Sequence, residues 1–253
     1  MLRRLGLALL AVLAAGAADA IPAQRSQILV SAAASLAEVM EELGRDYEQR
    51  TGVRVSVNTG ASNTLARQIA NGAAVDLFIS ADEAQMNAVR GDIVAGTRVD
   101  LLSNQLAIAV PADRRRTLRS ARDLMDPAIK RVAIGDPAAV PAGIYARTYL
   151  EQLGVWRALS KKVVPSASVR LALAAVENGA ADAAIVYRTD IASARRAALA
   201  LAIPVAEGPR IVYPAAVISA GRNREAAVML LAWLRRAEAA AIFRAAGFIP
   251  IGR

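Results

Sequence analysis

A chain of 253 residues without one cysteine or histidine carries no disulfide, no thiolate nucleophile, no histidine-assisted serine centre and no ordinary zinc site. Its formal charge is +9, yet aromatic residues are only 4 % and the cations are dispersed, with Arg114-Arg115-Arg116 the one run of three. Such a balance argues against a nucleic-acid partner and for a positive potential that draws small anions, and the length allows one large domain or two small ones.

In chain order, Arg3 and Arg4 precede an apolar run over residues 5–18, and Ala18-Asp19-Ala20 forms an A-x-A cleavage pattern. Residues 1–20 therefore read as a secretory signal peptide, too short to span a bilayer, and the mature chain is expected in the periplasm. With no cysteine after the cleavage point, no lipid anchor is expected.

The stretch 28–38, ILVSAAASLAE, sets the pattern for the rest of the chain. Ile28, Leu29 and Val30 read as a short buried strand, three alanines carry a tight turn, and Ser35 opens a helix with Glu38 completing an S-x-x-E capping box. Leu36, Val39, Met40, Leu43 and Tyr47 keep one helical face, and Gly52 supplies the stop. Residues 53–57 alternate like a strand, and Ser62 stands before a helix over 63–71. A strand at 75–80 and a helix at 81–90 complete a βαβαβα series, which implies parallel pairing with right-handed crossovers.

A longer apolar strand is predicted over 101–110, a short capped helix over 120–125 and a strand over 131–135. Pro141 suits the first turn of the next helix, 143–154, and puts Ala142 at its start. After a strand at 161–165, Val169 lies in the first turn of a helix stopped by Gly179. Residues 183–187 are a buried strand ending in Tyr187, and a strand over 211–219 is interrupted by Pro214, an edge or crossing position. Helices over 222–236 and 237–246 close the chain. Two βα series joined by two extended segments predict an α/β protein of two lobes with two hinge crossings. Lobe I takes residues 21–103 and 212–253, lobe II takes 104–211, and each is expected to hold a mixed, mainly parallel sheet flanked by helices.

Ser35, Ser62, Ala142 and Val169 thus stand at helix starts, where bare amides and the helix dipole favour anions, and Tyr187 ends a strand. Taken singly, each serine is equally a simple cap, and Tyr187 a core residue. Asp82 reads as a helix cap and Asp136 as an Asx turn rather than as metal ligands.

Five linked motifs carry a family resemblance: AAASL at 32–36, S-x-T-LARQI at 62–69, DLFISAD at 76–82, GDP-x-x-VPAG-x-YA at 135–146 and IVY at 185–187. In this order they resemble the periplasmic molybdate-binding proteins of molybdenum ABC importers, two-lobed periplasmic binding proteins of type II. The resemblance implies a molybdate or tungstate dianion held between the lobes by the hydroxyls and amides of Ser35 and Ser62, the amides of Ala142 and Val169, and the phenol of Tyr187. It implies no cofactor and no metal other than molybdenum within the oxyanion. It also implies no enzymatic activity, a monomer not inserted in the membrane, and a transient inner-membrane ABC permease as partner. Asn63 departs from the family serine beside the contact position.

Two other readings compete. Sulfate or another tetrahedral oxyanion fits the same fold. An exported hydrolase using Ser35 as nucleophile needs a base that the absent histidines do not supply, and Glu38 stands where an S-x-x-K motif has its lysine.

Overall fold

The structure is a computed structural model that describes residues 27–251. The signal peptide expected at residues 1–20 lies outside the described residues.

Strand β1 (Gln27–Ala33) buries Ile28 and Val30 completely, passes through a 3-10 turn at Ala34–Leu36 and enters α1 (Ala37–Thr51). Helix α1 turns Val39, Met40, Leu43 and Tyr47 inward, the face its spacing predicts, and ends at Gly52, whose φ of 72° favours a residue without a Cβ. Strand β2 (Arg54–Gly60), α2 (Ser62–Ala70), β3 (Leu77–Ile79) and α3 (Glu83–Ala88) complete the expected series. Then β4 (Val99–Ser103) and β5 (Leu106–Pro111) replace the single strand predicted over 101–110. They lie in different sheets, and Asn104 and Gln105 form the crossing between them.

The second series runs through β6 (Val132–Gly135), α4 (Pro141–Gln152), α5 (Trp156–Leu159), β7 (Val163–Ser166), α6 (Val169–Glu177) and β8 (Ala183–Tyr187). It continues into α7 (Arg188–Ala192) and β9 (Ala197–Ala202) before the chain returns as β10 (Tyr213–Val217), α8 (Arg224–Leu234), α9 (Ala237–Ala245) and β11 (Ile249–Pro250). No helix among the described residues is long and apolar enough to cross a membrane.

The sheets order as β11-β4-β10-β3-β1-β2 and β7-β6-β8-β5-β9. In the first, β2-β1-β3 is parallel, and in the second β7-β6-β8 is parallel; every other pairing is antiparallel. The sheets are therefore mixed as expected, but their parallel character is confined to the βα series. Strands that arrive from the other lobe enter without the right-handed crossover helix that enforces parallel pairing. Pro214 marks a crossing and not an edge: β10 is flanked by β3 and β4, and the register shifts between Tyr213 and Pro214.

The core is built from the apolar runs. All of β5 and β8 is buried, and each large aliphatic side chain removed from water contributes roughly 1.5–3 kcal/mol. The closing helices bind back to the first sheet: Trp233 of α8 packs on Tyr47 of α1 with ring centroids 5.2 Å apart, and β11 pairs with β4.

Candidate functional site

The carboxyl ends of β1, β2, β6, β7 and β8 converge between the two sheets, the position where α/β folds bind ligands. They border a narrow cleft, whose lining includes Ser35, Ser62, Ala142, Val169 and Tyr187 together. The space left between these walls is far smaller than a drug-sized ligand site. No charged side chain lines it among the described residues.

Each position is delivered by its own strand end. Ser35 sits in the 3-10 turn after β1, 3 % exposed, its Oγ 2.9 Å from the Tyr213 hydroxyl. Ser62 opens α2 without acting as its cap; instead its Oγ accepts a hydrogen bond from the Ala81 N–H, 2.9 Å long. Pro141 occupies the first position of α4, so the Ala142 amide is among the N–H groups that the helix itself leaves without an acceptor. Ser168 caps α6 by accepting from the Leu171 N–H at 3.2 Å, which leaves the Val169 amide in the same state. Tyr187 ends β8, buried, with a hydroxyl that no group among the described residues partners.

Two glycines let the second half of this ring close. A Cβ on Gly143 would stand 2.0 Å from the Gly135 carbonyl oxygen, and one on Gly135 would meet Val140 Cγ1 at 2.6 Å. The first turn of α4 thus rests directly on backbone at the end of β6.

The capping box expected of Ser35 and Glu38 does not form. The 3-10 turn has no side-chain cap, Ser35 turns to Tyr213, and the Glu38 carboxylate bonds the Arg170 guanidinium across the cleft. Charge and burial override the local motif: a carboxylate gains more from a guanidinium than from one amide. The aspartates serve structure. Asp82 caps α3 by accepting from the Gln85 N–H at 2.9 Å, Asp136 accepts from the Ala138 N–H at 2.9 Å, and Asp76 ties the Leu29 and Asn223 amides. No group of metal-ligating side chains occurs among the described residues.

Behind the ring lies a second layer that no sequence motif marks. Tyr213 and Asn104 stand at the two crossings between the sheets, and Thr189 follows Tyr187 on α7. Asp190, fully buried, accepts from the Tyr187 N–H at 3.0 Å and faces Arg170 Nε at 3.1 Å. Burial raises its carboxyl to about 7, against the pull of the Arg170 charge. Burial also holds the Tyr187 and Tyr213 phenols well above their ordinary range, so both stay protonated and able to donate.

The ring therefore consists of neutral donors: two serine hydroxyls, a phenol and helix-start amides, in a small space with no carboxylate on its wall. A family model described as bacterial extracellular solute-binding protein matches residues 28–249. The chain belongs to that family. It is 37 % identical to the molybdate-binding protein ModA of Escherichia coli K12 over 234 residues, 89 % of this chain and 90 % of the relative. The solved periplasmic molybdate-binding protein of Azotobacter vinelandii superposes with a TM-score of 0.78 at 25 % identity, covering 89 % of this chain and 100 % of that one. The sulfate-binding protein SubI of Mycobacterium tuberculosis, at 19 % identity and a TM-score of 0.76, covers 90 % and 88 % and shares the fold. As solute-binding family members are, this protein is built from two mixed α/β lobes with its cavity between them.

Proposed function

We propose that this chain captures molybdate or tungstate in the periplasm and delivers it to an inner-membrane ABC permease, with Ser35, Ser62, Ala142, Val169 and Tyr187 as the contact residues. The observation that carries this reading is the buried, unpartnered Tyr187 hydroxyl on the wall of a cleft lined by neutral donors with no carboxylate in its lining. Molybdate and tungstate are tetrahedral dianions without a proton at neutral pH, so each oxygen accepts and none donates. Phosphate keeps a proton, for which this wall offers no carboxylate. Neutral donors backed by three helix starts hold a buried dianion without a buried counter-ion and its desolvation penalty. The 37 % identity to a molybdate-binding relative supports molybdate over sulfate.

The same reading covers the rest of the molecule. Lobe I takes residues 21–103 and 212–253 and lobe II takes 104–211, with Asn104 and the segment before Tyr213 as hinges. Closure of the lobes is the signal that the permease reads. The protein works as an exported, monomeric carrier and not as an enzyme: the side-chain partner of Ser35 among the described residues is the Tyr213 hydroxyl and not a base.

Titration calorimetry with molybdate, tungstate, sulfate and phosphate tests the proposal. Molybdate and tungstate are expected to bind tightest and phosphate weakest; sulfate binding tighter than molybdate would overturn it. A second outcome isolates the phenol. Tyr187→Phe is expected to weaken molybdate binding roughly ten- to a hundredfold, the worth of one charge-assisted hydrogen bond. The melting temperature of the ligand-free variant should stay level or rise, because a buried hydroxyl without a partner is unfavourable. A lower melting temperature with unchanged affinity would place Tyr187 in the core and not in the site.

A further inference from the structure

We infer that Asn104 and Tyr213 fix the direction of the Ser35 hydroxyl, so that Ser35 donates into the cavity and the site rejects oxyanions that carry a proton. The inference rests on the anion-binding reading and deepens it, because it assigns selectivity to two hinge residues that do not touch the ligand.

The direction is set from one unambiguous end. The Gln105 N–H donates to Asn104 Oδ1 at 2.8 Å, which fixes the side-chain amide: its NH2 faces the other way. That NH2 group donates to Thr189 Oγ1 at 2.9 Å and to the Tyr213 hydroxyl at 3.2 Å. Tyr213 therefore accepts from Asn104, and its own proton goes to the remaining neighbour, Ser35 Oγ, 2.9 Å away. Ser35 accepts from Tyr213 and keeps its proton for the cavity that it lines. All four side chains are buried, so water does not compete for these bonds. Burial also keeps the Tyr213 phenol protonated.

Ser62 is set in the same sense by a shorter route, since its Oγ accepts from the Ala81 N–H at 2.9 Å. The two serines thus present hydrogens. A ligand oxygen that bears a proton meets these hydrogens, and turning the Ser35 hydroxyl towards Tyr213 would leave the Tyr213 hydrogen without an acceptor, since the Asn104 NH2 group donates on its other side. The relay also spans the molecule. Tyr213 and Ser35 belong to the first sheet's lobe, Thr189 to the second, and Asn104 lies between them, so this network is complete when both lobes are in place.

Asn104→Asp inverts the relay with almost no change of shape. A carboxylate at this position accepts from Tyr213 and Thr189, Tyr213 then accepts from Ser35, and Ser35 offers the cavity a lone pair. Tyr213→Phe removes the donor to Ser35 and keeps the ring that packs on Phe248 with centroids 5.8 Å apart. Sulfate and phosphate, similar in size and both doubly charged at mildly alkaline pH, report the effect: size and the added negative charge act on them alike, and the proton alone separates them. Calorimetric titration of wild type and both variants with sulfate, phosphate and molybdate is the experiment. The preference for sulfate over phosphate is expected to fall tenfold or more in Asn104→Asp and in the same direction in Tyr213→Phe, with molybdate affinity reduced. An unchanged preference in a variant that still binds anions would overturn the inference, as would complete loss of anion binding in both folded variants. If Asn104→Asp does not fold, Tyr213→Phe decides. Failure of the wild type to bind molybdate defeats the functional reading itself, a different result from an intact preference in the variants.

Discussion

Replacing Gly143 with alanine is expected to abolish molybdate binding and to lower the melting temperature by about 6–12 °C. The added Cβ would lie 2.0 Å from the Gly135 carbonyl oxygen, 2.4 Å from its carbon and 2.7 Å from the Asp136 oxygen. All three are backbone atoms, so no side chain can rotate away. The first turn of α4 must lift off the end of β6, and the Ala142 amide moves with it. Overpacking of this kind destabilises by ~3 kcal/mol or more, and for a chain of this length each kcal/mol moves the melting point by roughly 2–4 °C. Thermal melting and molybdate titration check both halves. An alanine variant that binds like wild type and melts within about 2 °C of it would show that α4 is not seated as described.

The same helix start shows what the sequence makes legible. The pattern GDPAAVPAG has a proline suited to a first helical turn and a glycine beside it, and α4 begins at Pro141 as that chemistry demands. Ser62, Ala142 and Val169 are readable as helix starts because each comes after an alternating or apolar strand-like segment and a short polar or proline-containing turn, and parallel strands send such turns to one end of a sheet. Strand β8 is readable outright, since AAIVY is apolar throughout and the structure buries all of it.

The illegible part depends on partners distant in sequence. Locally, Ser35 and Glu38 satisfy the capping-box pattern, yet Ser35 pairs with Tyr213, 178 residues away, and Glu38 with Arg170, 132 residues away. No periodicity carries that information. Strand β9, AALALA, has no β-branched or aromatic residue and reads poorly as a strand; it forms because β5 offers it a full antiparallel edge. Tyr213 is readable as part of a strand, but nothing in IVYPAAV tells that its hydroxyl reaches Ser35 and not solvent.

Arg170 joins these two regions, and its removal is the second large effect expected. Its guanidinium bonds Glu38 from the opposite lobe, lies 3.1 Å from the fully buried Asp190 and donates to Ser193 Oγ at 2.7 Å. The Asp190 carboxyl, raised by burial to about 7, keeps in the folded protein a proton that the unfolded chain releases near its ordinary value of 3.8. Its stabilising contribution is therefore complete below the unfolded value and is lost as pH rises through about 7. Arg170→Met takes away the charge that pulls this carboxyl down, so the loss extends to higher pH. At pH ~8 wild-type Asp190 is ionised against Arg170, whereas the variant must keep the buried carboxyl protonated without that partner, and a loss of roughly 2 kcal/mol is expected, about one pH unit's worth above the acid-side loss. At pH ~5 the carboxyl is protonated and the loss falls to about 1 kcal/mol, the worth of the packing and hydrogen bonds removed with the guanidinium. Melting curves across this range check the slope, and the double variant Arg170→Met with Asp190→Asn should recover most of the difference at the alkaline end. Glu38→Gln separates the cross-lobe contact from the buried one: its carboxylate is 60 % exposed, so stability should change by less than about 1 kcal/mol at either pH. Equal losses for Arg170→Met at both pH values would mean that Arg170 does not shift the Asp190 carboxyl and acts by packing alone.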